Sequence, residues 1–351
     1  MYGAPELLRH DHPVLRSRAL GRRPRRTMIG TQACVLFRDG SGTPRALLDR
    51  CAHRFAPLSR GSVQDGRLQC RYHGWSFDGD GAGQCPSQPS LTCSVPALRL
   101  RESHGWLWLA GREADPAQLP LPADDEYRLA GSLSLEAAAP MHVVLDNFNE
   151  DEHTPFIHGR LGWSAADAAK IEFETVTHDD SIEVTYAAPQ RASYLLPLVM
   201  VRRGDTFHNH WFTRFSPVHI VYTLRWTDPR TRAPRPLTLR FGIFFVPIGE
   251  RRTRIVAFVF TRVDSRWLRP LQPALDPVVC ALAWKEIFDD RRWLAHIADT
   301  PYSFRGMRLD RFDAPLARSR RLLDRIYFGA GAEATAGATG SASALASDGA
   351  Q

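Results

Sequence analysis

Two short pairs of metal-binding side chains, Cys51-Ala52-His53 and Cys70-Arg71-Tyr72-His73, stand sixteen residues apart in this chain. Nothing else in the sequence limits the fold so strongly. Two soft thiolates and two imidazoles, offered in pairs, can hold a pair of metal atoms. The C-x-H spacing differs from the C-x-x-C of most structural zinc sites.

A [2Fe–2S] cluster with two Cys on one iron and two His on the other is the Rieske arrangement. Replacing thiolate by neutral imidazole removes negative charge from one iron, raises the reduction potential and suits the cluster to one-electron relay. A zinc site of Cys₂His₂ composition is the alternative. The surroundings favour the cluster. Arg50-Cys51-Ala52-His53-Arg54, Leu58-Ser59-Arg60-Gly61 and Leu68-Gln69-Cys70-Arg71-Tyr72-His73-Gly74-Trp75-Ser76-Phe77 together resemble the Rieske signature over more than twenty positions. Trp75, beside His73, reads either as a shield that keeps water from the cluster or as ordinary packing.

At 351 residues, two domains are the reasonable expectation. A hydrophobic content of 44% and a charged content of 24% describe an ordinary globular protein. No apolar run reaches about 18 residues, so no membrane span is expected. The N-terminus lacks a hydrophobic signal core, so a cytoplasmic location is expected. Cys34, Cys85, Cys93 and Cys280 show no paired framework and read as reduced thiols. The formal charge of +7 is carried almost wholly by arginine, with Lys170 and Lys285 the only lysines, a bias that suggests a GC-rich bacterial genome. No long basic run or nucleic-acid motif is present, so DNA or RNA binding is not expected. A mildly basic face could dock an acidic electron-transfer partner.

The first third reads as short strands. Thr31–Arg38, the hairpin signal Asp39-Gly40-Ser41-Gly42 and Ala46–Asp49 lead into the first ligand loop, and further strands are expected at Ser76–Asp78 and Trp106–Leu109. Residues 112–125, rich in Pro, Ala and Asp, read as a linker. Beyond it, Met141–His153 is a helix candidate stopped by Pro155. Strands follow at Ile182–Tyr186, Val218–Leu224, Leu237–Val246 and Arg254–Phe260, then a helix from Pro273 to about Ile297. Long antiparallel strands with flanking helices imply an α+β domain. The aromatic stretch 241–260 reads as sheet core, and the histidines of Phe207-His208-Asn209-His210-Trp211-Phe212 as facing solvent or packing rather than lining a pocket. The expected division is 1–125, 126–328 and a disordered Gly/Ala/Ser tail, 329–351.

A relay cluster needs a destination. His153 and His158 stand five apart, which on an unbroken helix would splay them by about 140° at about 100° per residue. Pro155 can end the helix and let His158 swing back. Two His plus one carboxylate form the facial triad of non-haem Fe(II) oxygenases, with coordination positions left open. The third ligand should be an Asp or Glu far along the chain, and Trp284–Leu294 holds two rivals, Asp289 and Asp290. Glu150, three before His153, can share a helix face with it.

With these segments in place, residues 10 to about 325 resemble the catalytic α subunits of Rieske non-haem iron ring-hydroxylating oxygenases, most of all the single-subunit type that includes O-demethylases and monooxygenases. The resemblance implies an N-terminal all-β Rieske domain and a helix-grip-like antiparallel-sheet catalytic domain. It implies cluster ligands Cys51, His53, Cys70 and His73, and a mononuclear Fe(II) on His153, His158 and Asp290, the last placed by the family's Asp-x-x-apolar-apolar pattern. Glu150 stands where the family usually has an Asp bridging a cluster His of the next subunit, here His73, to an iron His; Glu is one methylene longer. Asn147 matches a family Asn near the iron. Also implied are a head-to-tail homotrimer, O₂ as cosubstrate, a hydrophobic small-molecule substrate, and electrons from NAD(P)H through a separate reductase, with or without a ferredoxin. The chain itself has no G-x-G-x-x-G and no flavin or plant-type ferredoxin signature. A Rieske electron carrier without oxygenase chemistry is the rival reading; it would leave His153, His158 and Asp290 unexplained.

Overall fold

The computed structural model describes residues 2, 5–114, 119, 121, 126–159, 162–191, 200–297 and 299–329. Most of the expected linker, and the tail from residue 330 onward, lie outside the described residues.

Ten strands make up the first part of the chain. They are β1 (His12–Arg16), β2 (Arg25–Ile29), β3 (Gln32–Arg38), β4 (Pro44–Leu48), β5 (Ser62–Gln64), β6 (Arg67–Gln69), β7 (Ser76–Phe77), β8 (Gly83–Gln84), β9 (Ala97–Ser103) and β10 (Trp106–Gly111). Six form an antiparallel sheet in the order β1-β10-β9-β4-β3-β2, and β5-β6-β7-β8 form a smaller one. The β3–β4 hairpin turns at Asp39-Gly40-Ser41-Gly42 as the sequence indicates. Asp39 Oδ1 accepts the backbone N–H groups of Ser41 and Thr43, each at 3.0 Å, and so closes the turn. Between the two sheets Val35, Phe37, Leu47, Leu58, Leu68, Phe77 and Val95 are buried together with Cys51 and Cys70. Burying one such Phe contributes about 1.5–3 kcal/mol, so the two ligand loops rise from a rigid base.

The second part is built on one antiparallel sheet of seven strands: β11 (Arg128–Ala137), β12 (Phe173–Thr177), β13 (Ser181–Pro189), β14 (Thr206–Phe215), β15 (Val218–Thr227), β16 (Leu237–Gly249) and β17 (Arg252–Val263). Their order is β11-β17-β16-β15-β14-β13-β12. The long helix α3 (Gln272–Leu294) lies across β11 and β17, and α1 (Met141–Asn149) packs on β16. Two short helices, α2 (Thr154–Ile157) and α4 (Leu316–Leu322), complete the described helical elements discussed below. The architecture is α+β, with an all-β N-terminal part and an antiparallel sheet gripping a long helix. The two parts are welded by aromatic packing. Trp108 of β10 meets Phe244 edge-on at 4.9 Å and stacks on Phe258 at 5.7 Å, and Trp106 Nε1 donates to Ser132 Oγ at 2.9 Å.

One local expectation is corrected. The helix expected from Met141 to His153 ends at Asn149, and Glu150 is extended, with φ −116° and ψ 164°. Pro155 is not the terminator; it sits in the first turn of α2, where its missing N–H costs nothing. The break is stabilised by Glu150 itself, whose Oε2 accepts the backbone N–H groups of Glu152 at 2.6 Å and His153 at 3.3 Å.

Candidate functional site

The two ligand loops are built alike. Cys51 N–H donates to Ala56 and Phe55 N–H to Cys51, at 2.9 and 3.0 Å; Cys70 N–H donates to Trp75 and Gly74 N–H to Cys70, at 2.7 and 3.0 Å. Each loop needs a left-handed residue at the same place, Phe55 with φ 60° and Gly74 with φ 74°. Both cysteines are buried and both histidines exposed, so the loops present two sulfurs inward and two imidazoles outward. The His53 and His73 rings lie 4.5 Å apart between centroids. Burial and the neighbouring Cys70 sulfur push the Cys51 thiol up to about 11, the cost of bringing two sulfurs together in a buried place. Trp75 stacks on His53, not on its neighbour His73, at 4.8 Å and an interplanar angle of 4°. Buried Asp49 ties down the first loop by accepting Ser59 N–H and Oγ–H, each at 2.7 Å.

The second cluster of ligands lies in the other half. His153 precedes α2 and His158 follows it, so one helical turn returns both rings to one point. His153 Nε2 and His158 Nε2 are 3.1 Å apart, and Asp290 Oδ1 of α3 is 3.3 Å from the first and 3.2 Å from the second. Asp290, not Asp289, faces the pair; Asp289 turns away to Lys285. An octahedral face with bonds of about 2.1 Å has edges of about 3.0 Å, so the three atoms fit a metal ion. The donor set of two imidazoles and a carboxylate suits non-haem Fe(II). Burial works against ionising Asp290, yet hydrogen bonds from His153 and His158 outweigh it and hold the carboxyl well below its ordinary range. For His158 burial is likewise outweighed, by Asp290 and Glu286, and its pKa rises to about 9. Without a metal the triangle must hold protons, which a cation would displace.

Carboxylates stand behind both imidazoles. Glu150 Oε1 accepts from His153 Nδ1, and Glu286 Oε2 lies 2.7 Å from His158 Nδ1. A carboxylate can only accept from His153, which therefore keeps its proton on Nδ1, while Glu286 faces His158 Nδ1 as an ion pair; both rings turn Nε2 toward the common point. Glu286 was not singled out by the sequence reading. Its signal was its position, one turn before Asp290. Asp290 itself interrupts the buried stripe Leu275, Val279, Ala283, Ile287 and Leu294 of α3, and a carboxylate at a core position demands a partner.

Beside the triangle lies a cavity of about 160 Å³, close to the roughly 150 Å³ of an apolar cavity that takes up benzene. Phe207, Leu224, Leu239, Phe241, Ile243 and Val279 supply much of its apolar wall. The strand whose histidines were expected to face solvent or pack presents two different faces. His208 bonds to Thr227 and His210 to Glu183, while Phe207 and Asn209 on the opposite face line the cavity. Within the 241–260 stretch Phe241 and Ile243 reach the cavity, and Phe244, Val256, Phe258 and Phe260 form sheet core. Asn147 lines the cavity, and its Nδ2 has no hydrogen-bond partner.

Comparison with known proteins agrees with this layout. Residues 10–99 match the family model of the Rieske [2Fe-2S] domain. The chain is 35% identical over 162 residues to "Protein TIC 55, chloroplastic" of Pisum sativum, covering 42% of this chain and 29% of that protein. It is 30% identical over 198 residues to the oxygenase component of dicamba O-demethylase of Stenotrophomonas maltophilia, covering 53% of this chain and 57% of that one. The chain therefore spans less than two thirds of these relatives. A crystal structure of dicamba monooxygenase bound to 3,6-dichlorosalicylic acid superposes with a TM-score of 0.70 at 20% identity, over 93% of this chain and 99% of that one.

Proposed function

We propose, for a chain that carries a Rieske [2Fe–2S] domain and has the fold of the Rieske oxygenase catalytic subunits, that it is the terminal oxygenase component of a multicomponent system. It would use O₂ and electrons from a separate reductase to hydroxylate or oxidatively demethylate an aromatic or other hydrophobic small molecule. The observation that carries this reading is the convergence of His153, His158 and Asp290 at the edge of an apolar cavity. A Rieske electron carrier has no use for either.

Cys51, His53, Cys70 and His73 would hold the cluster, and His153, His158 and Asp290 the iron. When bound, these groups relay single electrons and activate O₂. The chain's own residues do the rest. Glu150 holds the Nδ1 proton of His153, and Glu286, paired with the His158 ring, keeps that ring in place. The apolar wall keeps bulk water from the reacting end of the substrate. Asn147 Nδ2, half-buried and without a partner, offers one donor there.

Among the described residues, no hydrogen bond or ring contact joins the cluster loops to Glu150, His153 or His158 of the same chain. A second copy is the natural supplier of that contact. The cluster tip exposes Arg54, Phe55, Arg71 and Tyr72. On the outer side of His153 lies a depression whose lining carries Asp146, Glu150, Glu152, Asp299 and Asp313 against one arginine, Arg320, which pairs with Asp146. Basic aromatic tip and acidic depression are complementary, which supports a head-to-tail ring, a homotrimer, with Glu150 between His153 and the neighbouring chain's cluster.

Metal analysis of anaerobically purified protein tests the reading. Three irons and two acid-labile sulfides per chain, with a Rieske EPR signal after dithionite, are expected. Two irons with that signal in freshly reconstituted protein would reduce the chain to a carrier, and zinc without a signal would refute both sites.

A further inference from the structure

Inside the cavity the hydrogen-bond directions are set by a relay. Asp151 Oδ2 accepts from Trp163 Nε1 at 2.7 Å, and Oδ1 accepts from Thr154 Oγ1 at 2.9 Å. Burial and the nearby Asp151 carboxylate raise the Tyr186 pKa well above its ordinary range, and of that pair only the hydroxyl can donate. The Tyr186 oxygen accepts from Asn209 Nδ2 at 3.3 Å, which leaves the hydroxyl proton to the carboxylate side. The amide is thereby fixed in one orientation. Asn209 is only 5% exposed, and its Oδ1 has no hydrogen-bond partner although the residue lines the cavity. A buried amide oxygen with no donor is costly, and a ligand is the available donor.

The other lining groups point the same way. Tyr222 has committed its hydroxyl proton to the Phe148 carbonyl, so it brings no donor. Among the described lining residues Glu150, Asp151, Glu286 and Asp290 are carboxylates, and neither Lys nor Arg is present. A dication at the triangle, with Arg191 acting on Glu286 and Asp151, still leaves this set one charge negative. Among the described lining residues the unpaired neutral donor, Asn147 Nδ2, cannot hold an anion against it.

We propose that the cavity takes an uncharged, single-ring substrate that donates an O–H or N–H hydrogen bond to Asn209 Oδ1, and that it disfavours carboxylates. This rests on the oxygenase reading and narrows its substrate class. Asn209 is the specificity-determining residue, and Tyr186 positions it.

Three ortho-substituted single-ring probes separate the alternatives: 2-methoxyphenol, 1,2-dimethoxybenzene and 2-methoxybenzoate. Each is titrated calorimetrically into anaerobic holoenzyme, where no turnover occurs. The phenol is expected to bind about tenfold tighter than either of the others, the size of one buried hydrogen bond. In Asn209→Leu the phenol and the diether should bind within about twofold of each other. In Tyr186→Phe, which keeps the ring and frees the amide to turn, the same preference should shrink; this variant stands in if the first fails to fold. Equal binding of phenol and diether by the wild type, preference for the benzoate, binding of none of the three, or an unchanged preference in both variants would overturn the proposal. Iron and sulfide counts on the same preparation separate this failure from failure of the oxygenase reading: three irons with benzoate preferred sinks only the substrate class.

Discussion

Glu286 offers the sharpest test of how the candidate iron site is held. Its Oε2 is 2.7 Å from His158 Nδ1, and it sits one turn before Asp290 on the same helix. Asp290 and the carboxylate behind His158 are thus positioned by one rigid element. Replacing Glu286 by Ala removes the carboxylate that faces His158 Nδ1. His158 can then move its proton to Nε2 or rotate about its side chain, and either withdraws a ligand atom. Loss of such a supporting carboxylate typically weakens metal affinity about 10–100-fold, or about 1.4–2.8 kcal/mol. The assay is a competition titration of Fe(II) against a chelator, with the Rieske EPR signal as an internal measure of intact protein. Glu286→Gln should recover part of the affinity, because its amide oxygen still accepts. Asp289→Asn is the control on the same helix, since Asp289 pairs with Lys285 and not with the triangle. Fe(II) affinity unchanged within about twofold in Glu286→Ala would show that His158 needs no partner, and the reasoning would fail.

Other outcomes follow from the same geometry. Asp290→Ala should retain the cluster signal while losing the third iron, whereas Asp289→Asn should keep all three; metal analysis of both variants decides between the rivals of the Trp284–Leu294 run. Burial depresses His12 to about 3 and His219 to about 4 from an ordinary 6.5. The unfolded chain therefore takes up protons that the folded one refuses, so stability is full above pH 6.5 and falls as the pH drops toward 4. At pH 5 the loss is about 2 kcal/mol for each histidine, measurable by urea unfolding at pH 7 and pH 5, and His219→Gln should flatten that dependence. Gly81 has φ +86°, and a Cβ there would lie 1.9 Å from the Val95 carbonyl oxygen. Gly81→Ala should cost at least about 2 kcal/mol and lower cluster occupancy, read from the unfolding midpoint and sulfide content.

The chain's own residues announce the Rieske domain because the proposed cluster ligands are local. A C-x-H and a C-x-x-H each sit in one tight loop, and the residues that shape those loops, Gly74 among them, lie within a few positions. The hairpin at Asp39-Gly40 and the strands β13, β15, β16 and β17 were legible for the same reason, since turn chemistry and apolar periodicity act over short distances, whereas β11 and β12 were not expected. His153 and His158 were legible as a pair, but the reason they meet was not. The helix ends at Asn149 because the Glu150 side chain captures the next backbone N–H groups, a choice among local hydrogen bonds that periodicity does not record.

What tertiary structure alone decided is which distant side chains share a face with those loops. The resemblance pointed to Asp290 over Asp289, but the physical cause is helix phase against the sheet, a rotation of about 100° per residue set by the packing of α3 across β11 and β17. Glu286 joins the site by the same phase. Asn209 and Tyr186 meet because β13 and β14 pair in a particular register, Tyr186 opposite Asn209, and a slip of β14 by one residue would have turned Asn209 to the other face of the sheet. Ligand identity is written in the chain; cavity shape, amide orientation and the absence of a cation among the described lining residues arise only when strands far apart in sequence are brought side by side.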